Sequence, residues 1–138
     1  MSMRSPQRNG GFIKKYNTIL IIDDEQEIGS LLSEVLEPLF EKVLYCASAI
    51  EALKVAKSTA LTVILSDFTM PILSGDQFLL KLRAENILTP IIFLTGLSTV
   101  EVMQKVSNID TCSVFEKPIS FEEIFIGVEQ VLESKKIA

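Results

Sequence analysis

The chain has 138 residues, a length typical of one domain, so we expect a single hydrophobic core. Its 48% hydrophobic and 22% charged residues are typical of a globular protein, and no apolar run approaches the ~20 residues of a membrane span. The net charge of −5 argues against nucleic-acid binding, because that affinity depends mainly on Lys and Arg. We therefore expect no membrane and no nucleic-acid partner.

The basic charge is concentrated at the start of the chain. Residues 1–17 hold four basic residues and no acid, so the remaining 9 basic and 18 acidic residues carry −9. The segment also lacks the apolar run of a secretory signal. We predict a flexible basic leader over residues 1–16, followed by the folded domain over residues 17–138.

Two residue types limit the chemistry. The chain has no His, so it cannot itself carry phosphohistidine or bind zinc through imidazole. Cys46 and Cys112 lack metal-type spacing and are expected to be free thiols filling space in a reduced, cytoplasmic protein. Any metal site must therefore use oxygen ligands.

Five short apolar runs rich in β-branched residues predict strands. They are Thr18–Ile22, Lys42–Tyr45, Leu61–Leu65, Pro90–Leu94 and Cys112–Phe115. Between them, helical spacing appears in three places. The apolar sets are Ile28, Leu31, Leu32, Val35 and Leu36 before Pro38; Phe78, Leu79 and Leu82 after Ser74 and Gly75; and Ile124, Phe125, Val128, Val131 and Leu132 after Phe121.

Alternating strands and helices predict an α/β protein with a five-stranded parallel sheet and helices on both faces. The doubly wound order common for such a sheet is the flavodoxin-like 2-1-3-4-5, with ligands bound at the carboxyl ends of the strands.

Polar residues lie at the carboxyl ends of four predicted strands. Asp23 and Asp24 follow the first, Asp67 the third, Thr95 the fourth and Lys117 the fifth. Each alone has an ordinary explanation as a helix-terminal acid, a turn residue, a loop hydroxyl or a solvated lysine. Since all lie at one sheet edge, we expect them to form a site.

The charges of this set favour a cation. Two carboxylates ~5 Å apart repel by about 3 kcal/mol at an effective dielectric of 20. A divalent ion and Lys117 would balance three carboxylates, and oxygen ligands suit Mg2+, with Mn2+ as an alternative. A neutralised site could admit a phosphoryl group, with Asp67 attacking phosphorus in line.

The sequence resembles the response-regulator receiver family over about residues 17–134. The motifs that carry the resemblance are ILIIDDEQEI at 19–28, ILSDFTMPILSG at 64–75, IIFLTG at 91–96 and FEKP at 115–118. The resemblance implies that residues 17–138 form a receiver domain in a two-component phosphorelay.

The resemblance also implies roles for the acidic residues. Asp67 is similar to the phospho-acceptor, and Asp23 and Asp24 to the metal-binding acidic pair, with Asp24 the more direct ligand. The backbone carbonyl of Thr69 is similar in position to the third protein ligand.

Thr95 resembles the switch hydroxyl that closes on phosphoryl oxygens, and Lys117 the cation that pairs with them. The peptide between Lys117 and Pro118 is expected to be cis. The implied phosphoryl donor is a histidine kinase or a histidine phosphotransfer protein, and the implied target binds the face of helix 4, strand 5 and helix 5. The chain is expected to be a monomer or a weak homodimer.

The sequence departs from the family at two positions. Val114 stands where an aromatic switch residue is usual, and Phe115 should point to the opposite side of the strand, into the core. Leu97, near the phosphoryl site, offers no acceptor to orient water, so we expect slow self-dephosphorylation.

Three alternatives remain open. The chain could be a docking module that works without phosphate, or a receiver cut from a larger hybrid kinase or regulator. An aspartate-nucleophile phosphatase would need a carboxylate two residues after Asp67, where this chain has Thr69. We therefore expect no enzyme activity beyond self-phosphotransfer and autodephosphorylation.

Overall fold

A computed structural model describes residues 14–137. The five strands are Tyr16–Ile22 (β1), Phe40–Cys46 (β2), Val63–Asp67 (β3), Ile91–Thr95 (β4) and Ser113–Glu116 (β5). The five α-helices are Gln26–Leu36 (α1), Ala49–Ser58 (α2), Gly75–Ala84 (α3), Thr99–Val106 (α4) and Phe121–Ile137 (α5). None of the helices described within residues 14–137 is long and apolar enough to cross a membrane.

The predicted leader falls mostly outside this range. Residues 1–13 are not among the described residues, so its flexibility stays a prediction. Tyr16, the last residue of the predicted leader, is buried in β1.

The strands form one parallel sheet in the order β2-β1-β3-β4-β5, which confirms the predicted fold class. The register brings the strand ends together. Ile22 pairs with both Cys46 and Ser66, so the residues that follow β1 lie beside the end of β3. Asp67 pairs with Leu94, which places Thr95 one step beyond it on the neighbouring strand.

The core consists of two clusters, one on each face of the sheet. Along β1, Leu20 and Ile22 belong to one cluster while Ile19 and Ile21 belong to the other, as expected where side chains alternate across a strand. Both faces are covered by helices, so β1 is apolar along most of its length.

The predicted core face of α1 was partly wrong. Leu32 and Leu36 are buried, but Leu31 is 41% exposed. The buried residues of α1 are Gly29, Leu32 and Leu36, and Gly29 lies two residues and therefore about 200° around the helix from Leu31. Pro38 follows α1 in a short 3-10 turn over Glu37–Leu39.

The other two predicted helix faces were correct. Phe78, Leu79 and Leu82 of α3 are fully buried, and Ile124, Val128 and Leu132 of α5 are buried as well. The other two predicted residues of the α5 face, Phe125 and Val131, are partly buried against the same cluster. Ser74 precedes α3 as the N-cap of a capping box with Gln77.

Val114 and Phe115 of β5 pack on opposite faces of the sheet, as expected. Val114 packs against the cluster that includes Phe93, and Phe115 packs against the cluster on the opposite face. Phe115 is therefore not available to replace the missing aromatic residue at position 114.

Candidate functional site

Three carboxylates meet at the carboxyl ends of β1 and β3. Asp23 and Asp24 follow β1, and Asp67 is the last residue of β3. One oxygen from each lies within 4.8 Å of the other two. The structure thus brings together acids that are 43 or more residues apart in the chain.

Asp23 is the most buried of the three, with 2% of its surface exposed. Its Oδ1 accepts a hydrogen bond of 2.8 Å from the backbone N–H of Glu25. Burial raises the pKa of the Asp23 carboxyl; the Glu25 N–H lowers the pKa, and the negative charge of Asp67 raises it. The ionised form is thus disfavoured where no cation is bound.

Asp67 pairs with the lysine at the end of β5. Lys117 Nζ lies 3.1 Å from Asp67 Oδ1, and the Asp67 side chain is only 12% exposed. Burial raises the pKa of Asp67, and the hydrogen bond and charge of Lys117 oppose that shift without cancelling it. One ammonium is therefore not enough to neutralise the cluster.

The backbone holds Lys117 at this edge of the sheet. Its N–H donates to the carbonyl oxygen of Thr95 at 2.6 Å, which joins the ends of β5 and β4. The peptide between Lys117 and Pro118 is cis, as the resemblance implied.

Thr95 lies at the end of β4 and is 1% exposed. Its hydroxyl oxygen accepts a hydrogen bond of 2.9 Å from the backbone N–H of Leu97. The hydroxyl retains its own proton, which it can donate to an oxygen of a bound group after rotation about χ1.

Thr69 and Leu97 each lie two residues after a residue of the site, Thr69 after Asp67 and Leu97 after Thr95. Thr69 is exposed, and within residues 14–137 no hydrogen bond reaches its backbone carbonyl, so this oxygen is available as a ligand. Leu97 is partly buried against the core cluster that includes Phe93.

Sequence reasoning missed the residues that support these groups. The Tyr45 hydroxyl donates to the backbone carbonyl of Asp23 at 2.6 Å. The absence of a side chain at Gly75 leaves room for the rings of Phe68 and Phe93 to pack against the backbone there, because a Cβ at this position would lie 2.5 Å from Phe68. Tyr45 gave no signal in the sequence, since an aromatic residue in a strand is expected to be core.

The donor set fits a hard divalent cation. Three carboxylates and one ammonium leave the site at −2, which one divalent ion neutralises. The three acid oxygens lie within 4.8 Å of one another, and two oxygens bound on opposite sides of Mg2+ would be about 4.2 Å apart, so a small movement would bring them to an ion. Asp23, Asp24, Asp67 and the Thr69 carbonyl are the groups that could hold the ion.

Comparisons with known proteins agree on one family. A model described as the response regulator receiver domain matches residues 19–129. The alkaline phosphatase synthesis transcriptional regulatory protein PhoP of Bacillus subtilis is 31% identical over 122 residues, which cover 87% of this chain and 50% of that protein. Sporulation initiation phosphotransferase F of the same organism is 25% identical over 117 residues, which cover 85% of this chain and 94% of that protein.

Solved structures give the same result. Chemotaxis protein CheY4 of Vibrio cholerae is 27% identical with a TM-score of 0.77, covering 84% of this chain and 98% of that one. The chain spans about half the length of PhoP and nearly all of the sporulation phosphotransferase and CheY4.

Proposed function

Since the chain belongs to the response regulator receiver domain family, we propose that it takes a phosphoryl group onto Asp67 in a two-component phosphorelay. The observation that carries the proposal is the surroundings of the Asp67 carboxylate. Its oxygens lie 3.1 Å from an ammonium and within 4.8 Å of two further carboxylates. This supports the proposal, because one carboxylate that would act as the nucleophile lies beside an ammonium that would pair with phosphate and beside two acids that would help to hold a divalent ion.

The reaction forms an acyl phosphate. An Asp67 oxygen bonds to phosphorus as the phosphorus–nitrogen bond of a phosphohistidine donor breaks, and the leaving imidazole takes up a proton. Lys117 stays paired with the new group, and the Thr95 hydroxyl donates to one of its oxygens. When bound, Mg2+, or Mn2+ in its place, supplies positive charge that offsets the repulsion between the acids and the incoming phosphoryl oxygens.

The proposed partners follow from this chemistry. The 138 residues contain no His, so the donor histidine lies outside this sequence, on a histidine kinase or a histidine phosphotransfer protein. We place the target on the face of α4, β5 and α5, where Val100 is 64%, Met103 41% and Phe121 41% exposed. We expect a cytoplasmic protein, monomeric or weakly dimeric.

We propose no activity on an external substrate. The residue two positions after Asp67 is the exposed Thr69, which is not an acid that could protonate a leaving group. Turnover is then limited to uptake and loss of the protein's own phosphoryl group.

The experiment is phosphotransfer followed by intact mass. The parent chain should gain the mass of one phosphoryl group from acetyl phosphate or a phosphohistidine protein in the presence of Mg2+. Asp67→Asn should gain none, while Asp76→Asn, at a carboxylate in the first turn of α3, should behave like the parent. Equal labelling of Asp67→Asn and parent would refute the proposal.

A docking module that works without phosphate is the second candidate, and Val114 favours it. Val114 is partly buried against a core cluster, at the position where the family usually has an aromatic switch residue. Without that ring, one means of transmitting a change from the site to the target face is lost. Beryllofluoride with Mg2+ separates the two. Chemical shifts that change around Asp67 and Thr95 and extend into α4 support the phosphorylation switch, whereas unchanged shifts favour docking alone.

A receiver excised from a larger hybrid kinase or regulator is a further alternative. The chain covers 50% of the length of PhoP. A longer protein with an output segment next to this domain would therefore be consistent with the same Asp67 site. The chemistry proposed for Asp67 is the same in either setting.

A further inference from the structure

Tyr45 lies near the end of the edge strand β2 and reaches across to the loop after β1. Its hydroxyl donates a hydrogen bond of 2.6 Å to the backbone carbonyl of Asp23. The next residue, Cys46, accepts a hydrogen bond of 3.2 Å from the Asp23 N–H through its own carbonyl. Two consecutive residues of β2 therefore hold both backbone polar groups of Asp23.

The Tyr45 ring fits a slot in α1 that only glycine leaves open. A Cβ on Gly29 would lie 2.1 Å from Cε1 of Tyr45 and 2.7 Å from its Cδ1. Gly29 is buried at this point of α1 although it is not in a conformation that requires glycine. The absence of a side chain at Gly29 leaves room for the Tyr45 ring, so that the Tyr45 hydroxyl reaches the carbonyl of Asp23.

This contact sets the direction of the second acid. The carbonyl that Tyr45 holds belongs to the peptide joining Asp23 to Asp24, so fixing it restricts ψ of Asp23 and φ of Asp24. Asp24 is exposed, and its carboxylate has no hydrogen bond to any residue in the range 14–137. Its position beside Asp67 therefore depends on the backbone.

We propose that Tyr45 is a positioning residue for the divalent cation, acting through the peptide between Asp23 and Asp24 and seated in the slot at Gly29. The inference rests on the proposed function, because it assigns Tyr45 to the same cation site. Tyr45 itself does not contact the ion.

The test compares the only two tyrosines of the chain. Tyr45→Phe keeps the ring and deletes the hydroxyl, and we expect Mg2+ to bind at least about tenfold more weakly, as for other groups that orient metal ligands. Tyr16→Phe is the matched control, since its hydroxyl donates to Glu133 away from the acids. Its affinity for Mg2+ should equal that of the parent. Amide chemical shifts during titration with Mg2+ alone give the dissociation constants without any phosphorylation.

A second pair of variants tests the slot. Gly29→Ala should displace the Tyr45 ring and weaken Mg2+ binding, whereas Ser30→Ala, at the next and exposed position, should not. In the Tyr45→Phe background, Gly29→Ala should weaken binding much less than it does alone, because the contact it disrupts is already lost.

The outcomes separate this inference from the proposed function. If the parent does not bind Mg2+, both are overturned. If the parent binds it and Tyr45→Phe binds it equally well, Tyr45 does not position the acids and only this inference is overturned. A lower melting temperature of Tyr45→Phe with unchanged Mg2+ affinity also overturns it, since the contact would then be purely structural.

Discussion

Replacing Asp67 by Asn should stabilise the protein when no divalent ion is present. At an effective dielectric of 20, charges 4.8 Å apart repel by about 3.5 kcal/mol, and Asp67 has two such neighbours. On the same scale, the ammonium of Lys117 at 3.1 Å attracts the Asp67 carboxylate by about 5 kcal/mol. Solvent screening reduces this attraction, because the Lys117 side chain is 43% exposed. Asp24 is exposed and screened as well, so we expect a net gain of about 1–2 kcal/mol.

Thermal unfolding in the presence of a chelator measures this gain. For a domain of this size, about 1–2 kcal/mol corresponds to a rise in Tm of about 3–7 °C. Mg2+ should reverse the order, because an ion at 100 times its dissociation constant stabilises the parent by about 2.7 kcal/mol and the variant binds it less well. Asp110→Asn is a control of opposite sign, because its hydrogen bond to Arg83 lowers the pKa of Asp110.

The gain should also depend on pH. The pKa of Asp67 is raised in the folded state, so the folded protein binds this proton more tightly than the unfolded chain does. The contribution of Asp67 to the stability of the parent therefore rises as pH falls from neutral through the raised pKa towards the ordinary value of 3.8, and the advantage of Asn shrinks. Equal melting of variant and parent at neutral pH without Mg2+ would refute the electrostatic reasoning.

Three further predictions concern other parts of the chain. Lys117→Met should raise the pKa of Asp67 further, because it removes the hydrogen bond and the charge that lower this pKa. Carbon-13 titration of the Asp67 carboxyl measures the shift, and an unchanged pKa would contradict the reasoning. Leu97→Glu should shorten the half-life of the phosphoryl group, because the new carboxylate supplies an acceptor that orients water. An equal or longer half-life would contradict the prediction that Leu97 makes self-dephosphorylation slow. Deleting residues 1–15 should leave the denaturant midpoint nearly unchanged, because the two ion pairs it is known to remove, Lys15 with Glu129 and Lys14 with Glu37, each involve an exposed side chain. A large drop in the midpoint would show that the leader packs on the domain.

The sheet and the acidic residues could be predicted from sequence because each depends on a local pattern. Apolar runs mark strands buried on both faces, and parallel strands bring the residues at their carboxyl ends to one edge. This was enough to predict that Asp23, Asp67 and Lys117 meet. The ends of the strands were predicted less accurately, since Asp67 was expected to follow the third strand but is the last residue of β3.

The contacts between distant side chains could not be predicted. Leu31 fits the helical spacing of a core residue, yet α1 turns Gly29 towards the sheet because the Tyr45 ring packs there. Periodicity predicted the apolar stripe of α1, but it could not predict that a glycine would be buried beside that stripe to make room for a ring on another strand. The support that Tyr45 gives to Asp23 is of the same kind, because no spacing in the chain relates the two residues.

A crystal grown with Mn2+ and beryllofluoride tests the central claim most directly. We expect an anomalous peak bounded by oxygens of Asp23, Asp24 and Asp67 and by the Thr69 carbonyl. Beryllium should be bound to an Asp67 oxygen, with fluorine atoms close to Lys117 Nζ and the Thr95 hydroxyl. A manganese peak elsewhere, or an Asp67 carboxylate that carries no beryllofluoride, would contradict the account.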